Sequence, residues 1–473
     1  MERSLSPAAA RGGIVAATGE RTAMAEGITA RLVEIGRSVE ASSLPEEVLE
    51  VARHCVLDWL GCTIAAVDEP LVRILRDEIV AGEAGQGATL VASGGTTSVL
   101  TAALVNGAAS HALDFDDTHR ILSGHPSVPV LPAIAALAER DRRSGADLLA
   151  ALVAGIEVEC RLGALLGAPH YDIGWHATAT LGTFGAAAAA SHLLGLEEVA
   201  WRHAFGLAGT QAAGLKSGFG TMAKPLHAGK AAQGGLLAAL LARGGFTANP
   251  DVVETTQGFA AVLAGTAEPD RARLDRWDGR FMISDTLFKY HAACYLTHAP
   301  INALVEIRDG LGAGFVAEDV EAVDIRIDPP ALKVCNIAEP TTGLEGKFSL
   351  RATAAMALLG RDTAALDSFT DAVVTAPEVV ALRDRVDVRG DASVSFMRAE
   401  VTVRLRGGET RIVLSDSSVP AADLGRQREA LERKFVGLVR PVLGERRTAE
   451  LLGQVSRIGE LDDVGSLWRA TVR

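Results

Sequence analysis

A stretch without any formal charge, from Ala177 to Leu196, limits what this chain can fold into. The stretch has the length of a membrane span, but it consists mostly of Ala, Gly, Thr and Ser with one His. A true span needs roughly 20 predominantly apolar residues, and Ala and Gly provide too little transfer free energy. Small side chains also allow helices to approach one another closely. The stretch therefore predicts a buried helix packed against other helices, and no association with a membrane.

A helical pattern with the same small-residue character extends from about residue 25 to residue 288. Apolar residues recur at intervals of three and four, with breaks at Gly, Pro or Asn. One candidate helix opens at Pro45, with acidic residues in its first turn. Further candidates cover residues 131–140, 147–162, 181–194 and 229–243. Aromatic residues make up only 4% of the chain, which favours a compact bundle rich in Ala and Gly.

The pattern changes near residue 289. Apolar and polar side chains alternate over residues 322–328, and residues 400–414 give a hairpin pattern around Gly407 and Gly408. Residues 385–389 predict another strand, and residues 348–359 and 364–369 predict helices between the strands. Helical periodicity returns after Pro420, over residues 426–443 and 448–455.

These patterns predict a mainly α fold, with a large all-helical body and an inserted, smaller α+β lid domain. The predicted lid covers residues 289–420, an ordinary domain size. The main part of the helical domain covers residues 25–288, and C-terminal helices over residues 421–473 return to it. Residues 1–24 lack the continuous apolar core of a secretory signal and are predicted to form a flexible N-terminal extension.

The charge balance excludes several classes of partner. The chain has 46 Lys and Arg against 59 Asp and Glu, a formal net charge of −13, and no basic run forms the stripe that nucleic acid requires. Neither nucleic acid nor an anionic membrane is therefore expected as a partner. The five cysteines are scattered and form no C-x-x-C pair, which is typical of reduced thiols in a cytosolic protein. We expect a cytoplasmic protein.

One polar segment differs sharply from the apolar helices around it. It runs His111-Ala-Leu-Asp114-Phe-Asp116-Asp117-Thr118-His119-Arg-Ile-Leu-Ser-Gly-His125-Pro-Ser127 and contains three carboxylates and three imidazoles. Because unpaired buried charge is costly, these groups are expected to face a cavity. The alternative is that Asp116, Asp117 and Thr118 only cap or brace helices.

The chemistry open to this segment depends on the helix that follows it. A helix starting after His125-Pro-Ser127 would present backbone N–H groups and its positive dipole end, which suit a carboxylate ligand. His and Asp at such spacings also ligate divalent ions, but the tight repeats of known metal sites, such as His-Glu-x-x-His, are absent. No metal is predicted.

Two further polar groups of residues precede small-residue helices. In Gly174-Trp-His176-Ala-Thr, the imidazole lies at a helix start, which disfavours its charged form and leaves a neutral ring, as a general base requires. The alternative is a hydrogen-bonded core histidine. Lys224 precedes Pro225, which predicts an extended turn and an ammonium group that projects towards an anion. The alternative for this lysine is a solvated charge.

Two more polar groups lie beyond the change of pattern. Residues 289–298 include Lys289 and His291, and they are expected to line a cleft between body and lid or to form a polar linker. The run Thr342-Gly-Leu-Glu345-Gly-Lys347 opens a helix of the lid and is equally explained as its cap.

The chemistry is narrowed by the motifs that are missing. The chain has no G-x-G-x-x-G after a strand, no G-x-x-x-x-G-K-[ST] and no G-x-S-x-G elbow, so nucleotide cofactors and a serine-hydrolase mechanism lose their main support. His, Lys and Asp without an evident nucleophile favour proton transfer on an anionic substrate. Abstraction of a proton next to a carboxylate leads to elimination when a leaving hydroxyl is present and to epimerisation when it is not.

The same strings resemble the MmgE/PrpD family, from about residue 25 to near the end of the chain and in the right order. This family includes 2-methylcitrate dehydratase, cis-aconitate decarboxylase and iminodisuccinate epimerase. The resemblance implies a helical body with an inserted α+β lid, a homodimer, and no need for a metal or organic cofactor.

The resemblance also implies roles for individual residues. It implies active-site roles for Asp114, Thr118, His125, His176, Lys224 and Lys289, with His227 and His291 close by. In the decarboxylase branch a tyrosine lies near the position of Cys335, which argues against decarboxylation. The strings at 174–180 and 342–349 are more similar to the epimerase branch than to the dehydratase proper.

We predict a lyase of the hydro-lyase type that acts on a small di- or tricarboxylate. In this hypothesis His125 and His176 share acid and base duties, and Lys224 and Lys289 bind carboxylates. Asp114 and Thr118 orient an imidazole or the substrate hydroxyl. One alternative is a cofactor-free epimerase of an amino- or imino-dicarboxylate, and another is a binding protein without turnover.

Overall fold

The structure, a computed structural model, describes residues 27–83, 87–265, 269–276 and 279–473. The predicted N-terminal extension, residues 1–24, lies outside these ranges. Helices dominate the described chain before residue 289: α1 (Ile28–Arg37), α2 (Glu46–Ala65), α3 (Pro70–Glu78), α4 (Val99–His111), α5 (Ser127–Asp141), α6 (Gly145–Leu166), α7 (Ala168–Ile173), α8 (Ala177–Leu193), α9 (Glu198–Gly209), α10 (Ala223–Arg243) and α11 (Phe259–Ala264). The mainly α fold predicted from the sequence is confirmed.

The charge-free stretch forms α8, which is buried between α6, α10 and other helices, as predicted. Small residues make this packing possible. Gly235 of α10 lies against Ala186 and Ala187 of α8, and Gly229 of α10 lies against the Leu104 carbonyl of α4. A Cβ atom at either glycine would overlap these neighbours. Among the described residues, no helix combines the length and the apolar character needed to cross a bilayer.

Short strands tie distant loops together in this part of the chain. They are β1 (Ala88–Thr89), β2 (Thr96–Thr97), β3 (Thr118–His119) and β4 (Thr286–Leu287). β1 pairs with β2, and β3 pairs antiparallel with β4, with Thr118 opposite Leu287. The second pairing brings the segment around residue 289 beside the loop that follows α4.

The remaining elements begin with α12 (His298–Leu311) and include a four-stranded sheet. They are β5 (Val320–Ile327), α13 (Gly343–Gly346), α14 (Leu350–Leu358), α15 (Asp371–Val374), α16 (Pro377–Arg383), β6 (Val386–Gly390), β7 (Arg398–Leu405), β8 (Thr410–Asp416), α17 (Leu424–Ser456) and α18 (Gly465–Arg469). The strand order is β6-β5-β7-β8, and only the β5–β6 pair is parallel. The predicted hairpin is confirmed, with Gly408 at φ = 85° in its turn. Within the predicted helix at 364–369, residues 366–369 form a 3₁₀ helix.

The long helix α17, which has a non-helical break at Gly444, packs along α2. The ammonium group of Lys434 donates to Asp58 of α2 at 2.6 Å, to the Phe115 carbonyl at 2.5 Å and to the Lys289 carbonyl at 2.9 Å. This one buried side chain therefore links α17, α2 and the two segments that β3 and β4 bring together.

Candidate active site

Stretches of chain that are far apart in sequence meet at the end of α4. The loop after His111 carries Asp114 at φ = 50°, in the left-handed region that residues other than Gly seldom adopt. The pairing of β3 with β4 brings Lys289 to this loop. α8 and α10 begin nearby and contribute His176 and Lys224. These side chains, with those of Asp116, His125 and His227, are called the central cluster below.

Two ammonium groups converge on the carboxylate of Asp114. Its Oδ1 accepts hydrogen bonds from Nζ of Lys224 at 2.7 Å and from Nζ of Lys289 at 3.0 Å. Lys289 also donates to the Asp114 carbonyl at 2.6 Å, and Nε2 of His125 lies 3.8 Å from the same Oδ1. Burial raises the pKa of Asp114, but the two ammonium groups outweigh burial and hold this pKa well below its usual range. Asp114 is therefore ionised.

The carboxylate of Asp116 joins two imidazole rings. It lies 2.9 Å from Nδ1 of His111 and 2.7 Å from Nδ1 of His125, and the two ring centroids are 4.5 Å apart. Burial raises the pKa of Asp116, but the charges and hydrogen bonds of the two rings outweigh it and keep the pKa well below its usual range. Nδ1 of His125 therefore faces the Asp116 carboxylate, and its Nε2 faces Asp114.

His176 lies at the N-cap position of α8, at the helix start where the sequence predicted it. Its Nδ1 is 3.1 Å from Nδ1 of His227, so one ring donates and the other accepts. The ring of Phe219 packs edge-on against His176 at a centroid distance of 4.9 Å. Burial, and next the charge of Lys224, lower the pKa of His176 well below its usual value, and the same causes lower the pKa of His227. His176 is therefore neutral at pH 7.

Lys224 does not lie in an extended turn, and the sequence-based prediction of its backbone is wrong. α10 begins at Ala223, so that Lys224 and Pro225 are both in the first helical turn. A proline is tolerated there because the first N–H groups of a helix have no partner within the helix. The ammonium group nevertheless meets an anion, because it contacts Asp114.

The start of α5, which was predicted to offer its N–H groups to a ligand carboxylate, is instead capped by Asp117. The Ser127 N–H donates to Oδ1 of Asp117 at 3.3 Å, and the Ser127 hydroxyl donates to Oδ2. Burial, with the nearby charges of Asp58 and Asp116, raises the pKa of Asp117 to about 8. Asp117 is thus protonated at pH 7, and it adds no negative charge beside the central cluster.

Two residues of the predicted site lie apart from the central cluster. The hydroxyl of Thr118 donates to the Gly124 carbonyl at 3.1 Å and closes the loop between α4 and α5. The Nδ1 atom of His291 is 2.7 Å from the hydroxyl of Thr363, and its Nε2 atom is 2.9 Å from the Asn302 amide oxygen. The structure therefore does not bring the His291 ring to Asp114.

Conversely, sequence reasoning did not select two members of this region. His111 was quoted in the polar segment without a role, and Asp116 was only one of several candidates for bracing helices. Both lie within the segment 111–127, but their contact depends on the turn after α4, where Asp114 has a positive φ. A spacing of five residues across a helix end gives no periodic signal that would have identified the pair.

The donor atoms of His111, Asp114, Asp116 and His125 lie within 4.8 Å of one another, close enough to surround a metal ion. In the structure, the carboxylates of this group already have protein partners. Two ammonium groups contact Asp114, and Nδ1 of each ring faces Asp116. A divalent cation would have to compete with Lys224 and Lys289 for the same carboxylate oxygen. The geometry therefore favours a site for anions.

Comparison with known proteins gives matches along most of the chain. The family model of the MmgE/PrpD N-terminal domain matches residues 30–272, and that of the MmgE/PrpD C-terminal domain matches residues 291–457. A cis-aconitate decarboxylase from Homo sapiens is 29% identical over 458 residues, which cover 94% of each chain. A cis-aconitate decarboxylase from Mus musculus is 31% identical over 381 residues, 78% of this chain and 77% of the mouse protein. A 2-methylcitrate dehydratase from Cupriavidus necator is 25% identical over 392 residues, 78% of this chain and 79% of that protein.

Proposed function

The chain belongs to the MmgE/PrpD family, and from this membership and the central cluster we propose that it is a lyase acting on a small di- or tricarboxylate. The observation that carries the proposal is that two imidazoles with different partners, those of His176 and His125, lie near two ammonium groups. His176 is neutral and faces the His227 ring, whereas Nδ1 of His125 lies 2.7 Å from the Asp116 carboxylate. Elimination of water requires such a base and such an acid.

The ammonium groups of Lys224 and Lys289 are proposed to bind the carboxylate next to the carbon that loses its proton. Removal of this proton places negative charge on the carboxylate, and positive charge fixed in a buried site stabilises such a state more strongly than in water. Asp114 holds both ammonium groups in place through one oxygen. Burial lowers the pKa of Lys289, but the charge of Asp114 outweighs burial and raises this pKa above its usual value.

In the proposed dehydration, His176 takes the proton from carbon and becomes an imidazolium ion. The electron pair of that C–H bond forms the alkene as the neighbouring C–O bond breaks. His125 donates its Nε2 proton to the departing hydroxyl, which leaves as water, and Asp116 remains the partner of Nδ1. The two imidazoles then exchange protons with solvent to restore the starting state.

Decarboxylation is a second candidate, favoured by the similarity to cis-aconitate decarboxylases over up to 94% of the chain. In this reaction the C–C bond to one carboxylate breaks and CO₂ leaves. The electron pair shifts the double bond, and the far carbon takes a proton from an imidazolium ion. The buried thiol of Cys335, which donates to the Ala331 carbonyl at 3.4 Å, stands where the resemblance implies a tyrosine in decarboxylases. For this reason we place dehydration first.

The proposed function is tested by proton NMR in deuterated water with citrate, 2-methylcitrate, cis-aconitate and aspartate as separate substrates. Dehydration gives new alkene signals from a hydroxy acid, and decarboxylation gives a product that has lost a carboxylate. Deuterium incorporation at an unchanged skeleton would support the epimerase alternative instead. Ligand binding without any of these changes would show a binding protein and contradict the proposed lyase.

Three remaining predictions from the sequence belong to this proposal. The helical body and the lid are proposed to divide at residues 288 and 420, the protein is proposed to be a homodimer, and its location is proposed to be cytoplasmic. Sedimentation equilibrium at several protein concentrations tests the dimer, and limited proteolysis near residues 288 and 420 tests the division.

A further inference from the structure

Lys347 is a cation beside the central cluster that the proposed mechanism does not use. It follows α13, which begins with a capping box. The Glu345 N–H donates to the Thr342 hydroxyl at 3.2 Å, and the Thr342 N–H donates to the Glu345 carboxylate at 3.2 Å. Helix capping, the alternative left open by the sequence, therefore accounts for the presence of Thr342 and Glu345. It does not account for the direction of the Lys347 side chain.

The side chain of Lys347 reaches from the predicted lid to the loop after α4. Its Nζ donates to the Leu113 carbonyl at 3.1 Å. The next carbonyl along the chain, that of Asp114, accepts from Lys289. The Lys347 carbonyl accepts from the Cys294 N–H at 2.9 Å, which fixes this segment against residues 289–298. Ammonium groups from three separate segments thus contact residues 113–114.

The charge of Lys347 has no matching carboxylate in the described part of the chain. No Asp or Glu oxygen described there lies within 4.0 Å of its Nζ, and its neighbours are the Leu113 carbonyl and the Phe369 ring at 6.0 Å. An ammonium group has three N–H donors, so two remain without a protein acceptor there. Burial lowers the pKa of Lys347, and the charge of Asp114 offsets this only in part. Every other lysine of the site contacts a carboxylate.

The charges around residues 113–114 indicate how many carboxylates a ligand needs there. Lys224, Lys289 and Lys347 bring three positive charges to this loop, and Asp114 supplies one negative charge. The neighbouring carboxyl groups do not serve Lys347, because Asp116 lies against the rings of His111 and His125 and Asp117 is protonated. A ligand carboxylate bound by Lys224 and Lys289 leaves the buried Lys347 ammonium group without an anionic partner, whereas a second carboxylate on the ligand supplies one.

We propose that Lys347 forms a second carboxylate subsite, contributed by the predicted lid, so that Lys224 and Lys289 bind one carboxylate of the di- or tricarboxylate and Lys347 binds another. This inference rests on the proposed function and deepens it, because it names the residue that binds the second carboxylate and makes substrate binding depend on both parts of the fold.

The test measures binding of two acids that the proposed reaction cannot convert, because they have neither a hydroxyl group nor an alkene. Tricarballylate (propane-1,2,3-tricarboxylate) carries three carboxylates, and butyrate carries one on a chain of similar size. Isothermal titration at fixed ionic strength gives Kd for both acids with the wild type and with Lys347→Met, Lys347→Arg and Lys333→Met. Lys333 is exposed and close in sequence, so its variant controls for the loss of one positive charge.

We expect Lys347→Met to weaken tricarballylate binding about 10- to 100-fold, the usual effect of losing one hydrogen bond to a charged group, and to change butyrate binding by less than about threefold. Lys347→Arg should retain most of the affinity, and Lys333→Met should behave like the wild type. Equal losses for both acids in Lys347→Met and Lys347→Arg indicate a structural contact with Leu113 and overturn the inference, as does unchanged binding.

The two proposals fail in different ways. If the wild type binds tricarballylate and Lys347→Met binds it equally well, the subsite is wrong while the proposed lyase stands. If the wild type neither binds tricarballylate nor converts any acid of the NMR screen, the proposed function fails and the subsite fails with it. Circular dichroism and the melting temperature of each variant separate loss of binding from loss of fold.

Discussion

Asp117 gives a stability prediction whose size follows from one buried carboxyl group. Its pKa is raised from 3.8 to about 8, so the folded protein holds a proton that the unfolded chain releases above pH 4. Stability carried by such a group is complete below the unfolded pKa and is lost as the pH rises towards the folded pKa. Both pH 5 and pH 7 lie within this window. At about 1.4 kcal/mol per unit, Asp117 lowers the unfolding free energy by about 3 kcal/mol between pH 5 and pH 7.

Asp117→Asn removes this dependence while it keeps a polar atom at both contacts with Ser127. The amide oxygen accepts from the Ser127 N–H as Oδ1 does, and the amide nitrogen takes the place of Oδ2 beside the Ser127 hydroxyl, where it donates and the hydroxyl oxygen accepts. The difference in unfolding free energy between variant and wild type should therefore grow by about 3 kcal/mol from pH 5 to pH 7, in favour of the variant. All other titrating groups are common to both proteins and cancel in this difference.

Urea unfolding followed by circular dichroism at pH 5, 6 and 7 measures this difference. Asp462→Asn is the matched control, because Asp462 is exposed in a loop, and its effect should not change with pH. A difference between Asp117→Asn and the wild type that is the same at pH 5 and pH 7 would refute the reasoning. It would mean that Asp117 is ionised in the folded protein and that the central cluster has one more negative charge than we assign.

Three further predictions concern the central cluster and its support. His176→Ala should lower kcat by about 10²- to 10⁴-fold with an unchanged circular dichroism spectrum, since it removes the base; normal turnover would exclude this role. Lys224→Ala should raise KM and lower kcat, because the ammonium group binds the carboxylate and stabilises the charge that develops on it; steady-state kinetics with unchanged KM and kcat would remove it from the site. Lys434→Met should lower the unfolding free energy by about 3–5 kcal/mol in urea, because it leaves Asp58 buried without its partner; Lys434→Met combined with Asp58→Asn should recover part of this loss, and no recovery would show that the pair is not the cause.

The parts of the fold that the sequence predicted well are those set by local rules. The burial of α8 follows from its composition, because small Ala and Gly side chains allow other helices to pack closely around it. The hairpin of β7 and β8 follows from alternation on either side of Gly407 and Gly408, and Gly408 has the positive φ that this turn requires. These signals lie within a few residues of one another, so they do not depend on the tertiary structure.

The parts that sequence reasoning missed depend on which groups become neighbours after folding. Pro225 was taken as a helix breaker at Lys224, but the position of a proline within a helix decides its effect, and this one is in the first turn. Helix capping was the alternative left open for Asp117, but the sequence did not indicate which helix, and the carboxyl group caps the start of α5. His291 lies within two residues of Lys289, yet the chain turns there and the ring faces Asn302 and Thr363.

The assignment of charge within the segment 111–127 decides what the site can bind. Three adjacent carboxyl groups suggest a strongly negative site when only the sequence is considered. In the folded protein, Asp117 is neutral, Asp116 lies against two imidazoles, and residues 113–114 contact ammonium groups from three other segments. The acidic segment therefore forms the floor of a positively charged site, because its carboxylates orient the cations without neutralising them. On this argument, removing the charge of Asp114 should disorder Lys224 and Lys289 rather than improve the binding of an anion.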